Sequence, residues 1–140
     1  MRGFLSKGIC RIGLVTCIFI FSFGLLNCSK EAKKERHWVR AEKYFADNQF
    51  KEAIIEYKNV LQVEPKHAKA RHKLGLAYLR TGQFREAFSE FTKAVDSDPE
   101  NAETRIQLGN LYLLGKDNLK AKEQAEKALA KEPIILPPGS

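Results

Sequence analysis

Three helix-turn-helix repeats stacked as an all-α solenoid with a right-handed superhelix are what this chain of 140 residues predicts. Two observations carry that expectation. Pro65, Pro99 and Pro133 stand 34 residues apart, and Tyr44, Tyr78 and Tyr112 repeat at the same interval. Within each period, apolar and small side chains recur at helical spacing. Ala53, Ala87 and Ala121 keep the register, as do Ala41, Gly75 and Gly109. Tyr57, Phe91 and Ala125 form a further column, and Val60, Ala94 and Ala128 another. Six columns in one register are not a chance pattern.

Composition agrees. Apolar residues make up 44% of the chain and charged residues 29%, enough to bury a core and solvate a surface. The net charge is +7, but Arg2, Lys7 and Arg11 crowd the first eleven residues with no acid among them. Without them, 21 basic residues face 17 acidic ones, a net of +4 spread over alternating charges. That is ordinary solubility rather than the clustered basic stripe of a nucleic-acid binder. Five prolines and nine glycines exclude collagen-like and proline-rich classes.

Residues 1–27 read as an address. After the basic start, Ile12 to Leu26 is an uncharged apolar run of 15 residues, short for a bilayer span of about 20. Leu25-Leu26-Asn27-Cys28 follows and gives way at once to Ser-Lys-Glu-Ala-Lys-Lys. This resembles a bacterial lipobox, with Asn27 where a smaller residue is usual. The resemblance implies cleavage before Cys28, a diacylglycerol on its sulfur, and stable anchoring by two or three acyl chains. Ser29 then fits export to the outer membrane. Cleavage would also remove Cys10 and Cys17, so no stray thiol would reach an oxidising compartment. Residues 28–33 are expected to be the lipidated cysteine and a short linker.

Residues 34–133 hold the repeats, divided as 34–67, 68–101 and 102–133. In the second repeat, helix A is expected near His67–Arg80, with Leu74, Gly75 and Tyr78 on one face. Helix B is expected near Phe84–Ser97, with Ala87, Phe88, Phe91, Ala94 and Val95 inside. Gly75 and Gly109 are mid-helix, where glycine costs about 1 kcal/mol against alanine, so a partner helix must come close. Ala87 lets the helices close, and Phe91 is expected to fill the space between repeats. Gly82 ends helix A, Pro99 ends helix B, and Asn101 is the expected N-cap of the next helix. Two columns break. Arg40 stands where Leu74 and Leu108 stand, and Asn118 where Phe50 and Phe84 stand, with Leu119 expected to substitute one residue later. The tail, 134–140, reads Ile-Ile-Leu-Pro-Pro-Gly-Ser, and Pro137-Pro138 blocks a solvating end helix. Either a partner covers the last face or the array is a shortened version of a longer one.

These columns resemble the tetratricopeptide repeat. The resemblance implies a concave groove lined by the A helices. Its positions fall here on Trp38, Glu42 and Phe45, then Lys69, His72, Leu76, Leu79 and Arg80, then Ile106, Asn110, Leu113 and Leu114. Such a strip, apolar with a few polar points, suits a peptide or helix. The family's two-carboxylate clamp would need Lys and Asn where Trp38 and Glu42 stand, and basic residues at Glu103 and Gln107. Binding of acidic chaperone tails is therefore disfavoured.

No catalytic constellation is visible, and neither an enzyme nor a cofactor or metal is expected. His67 and His72 are five apart and miss the helical spacing of paired ligands. Asp96–Asn101 lacks the glycine and glutamate of a calcium loop. Lys66, Lys69, Arg71 and Lys73 read as a solvated helix face. Lys30, Lys33, Lys34 and Arg36 would lie near a membrane surface, offset by Glu31 and Glu35. The chain is similar to tetratricopeptide lipoproteins of exopolysaccharide and exosortase systems and to pilotin-type outer-membrane lipoproteins. The expectation is a lipid-anchored adaptor in the bacterial envelope, facing the periplasm, with a protein partner and no nucleic acid. Self-association through an uncapped third repeat is the alternative.

Overall fold

A computed structural model describes residues 29–130. Helix α1 occupies residues 29–46, so the stretch expected as a linker is helical from residue 29. Then follow α2 (Phe50–Val63), α3 (Ala68–Arg80), α4 (Phe84–Ser97), α5 (Ala102–Leu114) and α6 (Asn118–Leu129). Each helix packs on its sequence neighbour, as a solenoid of helical hairpins requires. There is no strand among the described residues.

The turns inside the hairpins share one geometry. Asn48, Gly82 and Lys116 have φ of 58°, 75° and 62°. These left-handed residues, again 34 apart, reverse the chain after α1, α3 and α5. One residue on, the amides of Gln49, Gln83 and Asp117 donate to the carbonyls of Tyr44, Tyr78 and Tyr112 at 2.8, 2.9 and 2.9 Å. Only the second turn has the glycine its backbone favours. In the third, Gly115 sits one residue early with φ −78°, and Lys116 takes the strained position.

Helices α3, α5 and α6 are capped at their starts by side chains, whereas α2 and α4 are not. His67 Nδ1 accepts from the Ala70 amide at 3.1 Å, and Asn101 Oδ1 from Thr104 at 2.8 Å. Asp117 Oδ1 accepts from Lys120 at 3.1 Å. Asn101 thus does what its position between Pro99 and the next apolar run demanded.

The core runs as a single strip through Ala41, Ala53, Tyr57, Leu74, Ala77, Ala87, Phe91 and Leu108. Gly75 meets its reason here. A methyl group on it would stand 2.7 Å from the Phe91 ring, so α3 and α4 could not close with any larger residue. Phe91 closes the joint within the second repeat, belongs to the same buried cluster as Leu108 and Leu111 of the third, and has its ring 5.7 Å from that of His72. Gly109 differs. Its nearest neighbours to such a methyl are at 3.5 Å, an ordinary contact, because Ala125 replaces the aromatic ring of Phe91. Leu119 does not substitute for the missing aromatic at 118, since it is 84% exposed.

The seams between repeats follow another row. Thr104 Oγ1 meets His72 Nδ1 of the preceding repeat at 2.9 Å, and Phe88 packs edge-on against Tyr112 at 5.1 Å. In that row Ala70, Leu74 and Ala77 are buried, and so are Thr104, Leu108 and Leu111. The corresponding residues of α1 are Arg36, Arg40 and Lys43, and all three are exposed.

Candidate functional site: the row of A helices

The groove positions are carried by α1, α3 and α5, and the structure divides them into three kinds. The first kind is already engaged. Trp38 packs on the core, stacks on His67 with ring centroids 5.5 Å apart, and has Lys69 Nζ 5.0 Å over its face. Glu42 accepts a hydrogen bond from the Tyr57 hydroxyl at 2.5 Å, and Lys73 Nζ lies 3.6 Å from its other oxygen. Burial, and then Glu42, push the Tyr57 hydroxyl well above the usual phenol range. The phenol therefore keeps its proton and donates it.

The second kind is inside. His72 is 6% exposed, within the seam between the second and third repeats rather than on an open groove floor. Its Nε2 lies 3.3 Å from Glu103, and a carboxylate can only accept, so Nε2 carries the proton. Nδ1 lies 2.9 Å from the Thr104 hydroxyl, whose single proton is also within reach of Asn101 Oδ1 at 2.9 Å. Burial pushes the imidazole below its ordinary value, and Glu103 opposes this without reversing it. Phe45, Leu76 and Leu79 are partly buried against the core.

The third kind is free to meet a partner. Arg80 and Asn110 are exposed, and Ile106, Leu113 and Leu114 are 51, 55 and 71% exposed. The row changes character along the array. It is acidic and aromatic at α1 (Glu35, Trp38, Glu42), basic at α3 (Lys69, Lys73, Arg80), and apolar at α5 (Ile106, Leu113, Leu114). Cys28, the apolar run before it and the 134–140 tail lie outside the described residues.

One set of residues escaped the sequence reading. His37 meets Glu56 at 2.5 Å, Arg71 meets Glu90 at 2.7 Å, and Arg105 meets Gln124 at 3.0 Å. These are two more columns of the same period, one on each helix of a hairpin. The two arginines also grip the loop before their own helix. Arg71 Nη2 donates to the Pro65 carbonyl at 2.5 Å, and Arg105 Nε to that of Pro99 at 2.8 Å. At Glu56, burial works to raise the carboxyl, but hydrogen bonds from His37 and Arg40 hold it below the usual range. The 34-residue arithmetic would have found these pairs had polar columns been aligned as well as apolar ones. Among the described residues no three His, Cys, Asp or Glu side chains are placed to hold a metal ion.

This is the architecture of an array of helical-hairpin repeats, and comparison with known proteins agrees. A TPR-repeat model matches residues 41–82, and a tetratricopeptide-repeat model matches residues 79–133. Over residues 41–133 the chain is a tetratricopeptide-repeat protein. Among solved structures, MamA 41-end from Desulfovibrio magneticus RS-1 is similar at 28% identity with a TM-score of 0.64. That likeness covers 69% of this chain and 54% of that one. A MamA double mutant is similar at 27% identity with a TM-score of 0.67, over 71% of this chain and 56% of its own. The chain thus spans just over half the length of those MamA chains. The first TPR of Spaghetti, bound to an HSP90 peptide, shares the fold at 23% identity and a TM-score of 0.68. There 74% of this chain and 82% of that one are covered. No curated protein matches.

Proposed function

We propose that this chain is a non-enzymatic adaptor, held on the bacterial envelope by lipid on Cys28, that docks a partner's peptide or helix along its A helices. The setting is envelope, exopolysaccharide or secretion-system assembly, with the array facing the periplasm from the outer membrane. The observation that carries the docking reading is the exposed apolar strip of Ile106, Leu113 and Leu114 on α5 beside basic Lys69 and Arg80 on α3. Large apolar side chains in a concave row are costly to solvate unless covered, and a helix with one apolar face covers them. Peptides lie on the tetratricopeptide domain of Spaghetti, which supports a protein partner here. The chemistry of that partner differs, because Trp38 packs against the core, Glu42 is an acid engaged by Tyr57 and Lys73, and Glu103 faces His72. No cluster of positive charge awaits a terminal carboxylate at those positions.

Photo-crosslinking from Ile106 in intact membranes tests the reading. One dominant protein should be captured, and capture should vanish when Leu113 and Leu114 are both changed to Asp. Random capture that survives this change rules docking at the row out. Anchoring is tested by acylation: Cys28→Ser should abolish lipid attachment and processing.

Self-association is the second reading, and a specific observation favours it. Ile106, Leu113 and Leu129 are 51, 55 and 53% exposed, whereas their counterparts one repeat earlier, His72, Leu79 and Val95, are buried or partly buried. A second copy placed against this end would cover them. Sedimentation would then show a concentration-dependent dimer that Leu129→Asp dissolves.

A further inference from the structure

The exposed row of α1 stands where the later repeats bury their seam residues. From its chemistry we infer that it lies against the anionic headgroups of the membrane that anchors the chain. The inference rests on the anchoring proposed above and adds an orientation to it.

At 100° per residue, Ala32, Arg36, Val39, Lys43 and Ala46 fall along one stripe of α1, with Lys33 and Arg40 on its border. All seven are exposed, and of them Arg40 on the border is engaged, by Glu56 at 3.1 Å and His37 at 2.8 Å. No ion pair engages Arg36, Lys43 or Lys33 among the described residues. Two of the helix's three acids are engaged. Glu31 pairs with Lys34 at 2.6 Å, and Glu42 is held by Tyr57 and Lys73. Glu35, exposed, borders the stripe on its other side and leaves its net charge positive.

A solvating cap explains polarity at these positions, but not a single sign. The equivalents in the later repeats are Ala70, Leu74 and Ala77, then Thr104, Leu108 and Leu111. At three of three positions the first repeat replaces them with a cation. Between the cations the stripe keeps Ala32, Val39 and Ala46, and Val39 is 57% exposed. Short apolar residues flanked by long cationic ones are the composition of a helix lying in a lipid interface, where Arg and Lys reach the phosphates.

Position along the chain supplies the partner. Helix α1 is already formed at residue 29, immediately after Cys28 and three residues past the uncharged run ending at Leu26. A helix already formed beside the point of anchoring, with a cationic stripe along its outer side, has anionic phospholipid as its nearest large negative surface. Laid down this way, α1 would present the opposite end of the array, with its apolar α5 strip, away from the bilayer.

Lysine footprinting tests this without altering the chain. The membrane-anchored protein is reconstituted into vesicles of neutral lipid alone or with anionic lipid added. It is then acetylated with a water-soluble reagent and digested. Lys43 and Lys33 should react several-fold more slowly on anionic vesicles, and salt should abolish the difference. Lys122, 74% exposed on α6, should react equally on both. Arg36→Glu should erase the protection of Lys43 while Lys122 still reacts equally on both vesicles. Equal rates for Lys43 on both vesicles overturn the inference, and so does protection on both, which would point to an acidic protein or to self-contact. The same digest reports the mass of the Cys28 peptide. An unmodified Cys28 would sink the anchoring proposal, whereas an acylated Cys28 with an unprotected Lys43 would sink the orientation alone.

Discussion

The second and third repeats solve the same packing problem with different material. In the second, Gly75 lies under the ring of Phe91, and a single extra carbon would stand 2.7 Å from it. In the third, Gly109 has no ring above it, Ala125 is exposed, and the nearest contacts to an added carbon are at 3.5 Å. Polar contacts join both hairpins alike: Arg105 bridges Gln124 and the Pro99 carbonyl as Arg71 bridges Glu90 and the Pro65 carbonyl. The second repeat adds a ring seated on its glycine, and the third does without one. The lesson is that one glycine column can be obligatory in one repeat and merely inherited in the next.

The largest effect should come from the ring itself. Phe91→Ala should cost about 3–5 kcal/mol, the range for emptying an aromatic from a core, seen as a lower urea midpoint. Ala125 sits in the equivalent column, and Ala125→Gly should cost only about 1 kcal/mol, as helix propensity dictates. If the two changes cost the same, the contrast between the repeats fails. Gly75→Ala should follow at about 1–3 kcal/mol by overpacking. Gly109→Ala should move the other way and stabilise by up to about 1 kcal/mol, since the methyl fits and the helix gains.

A change of pH separates the seam from both hairpins. Burial holds the folded His72 below its ordinary 6.5, so the unfolded chain takes up a proton first as pH falls. The stability it contributes is complete above 6.5 and is lost as pH drops below that value toward the folded one. Glu56, lowered from 4.5, begins to lose its contribution only below that figure. Urea midpoints should therefore decline between pH 7 and 5, and His72→Asn should flatten that part of the profile. The smallest effect is at the third turn. Lys116→Gly relieves a left-handed residue and should stabilise by about 1 kcal/mol, whereas Gly82→Lys should cost a similar amount.

Helices α2 to α6 were legible in the sequence because their signals are local and repeat. Gly82, Pro99 and Asn101 each act where a turn, a stop and a cap were expected. What was not legible depended on what a side chain meets. Phe91 was legible as a filler of the core, but not as the lid on Gly75. Leu119 looked like a displaced aromatic, yet one residue on a helix turns a side chain by 100°, and it points to solvent. His72 occupies a groove position by register, but Thr104 and Glu103 of the next repeat close over it. The pairs of His37, Arg71 and Arg105 with their helix B partners were hidden because the column changes chemistry while keeping its geometry.

Those arginines bear on how the array is made. Arg71 takes its partners from Pro65, six residues behind, and Glu90, nineteen ahead. Both loops so closed are short, and no later repeat is needed to complete them. As the chain leaves the ribosome, each hairpin could therefore lock behind its own arginine before the next has been synthesised. The seams at His72 and Tyr112, which need the following or preceding hairpin, would form afterwards. A sequence built this way grows by finished units, and adding or losing a repeat would leave the hairpins already made intact.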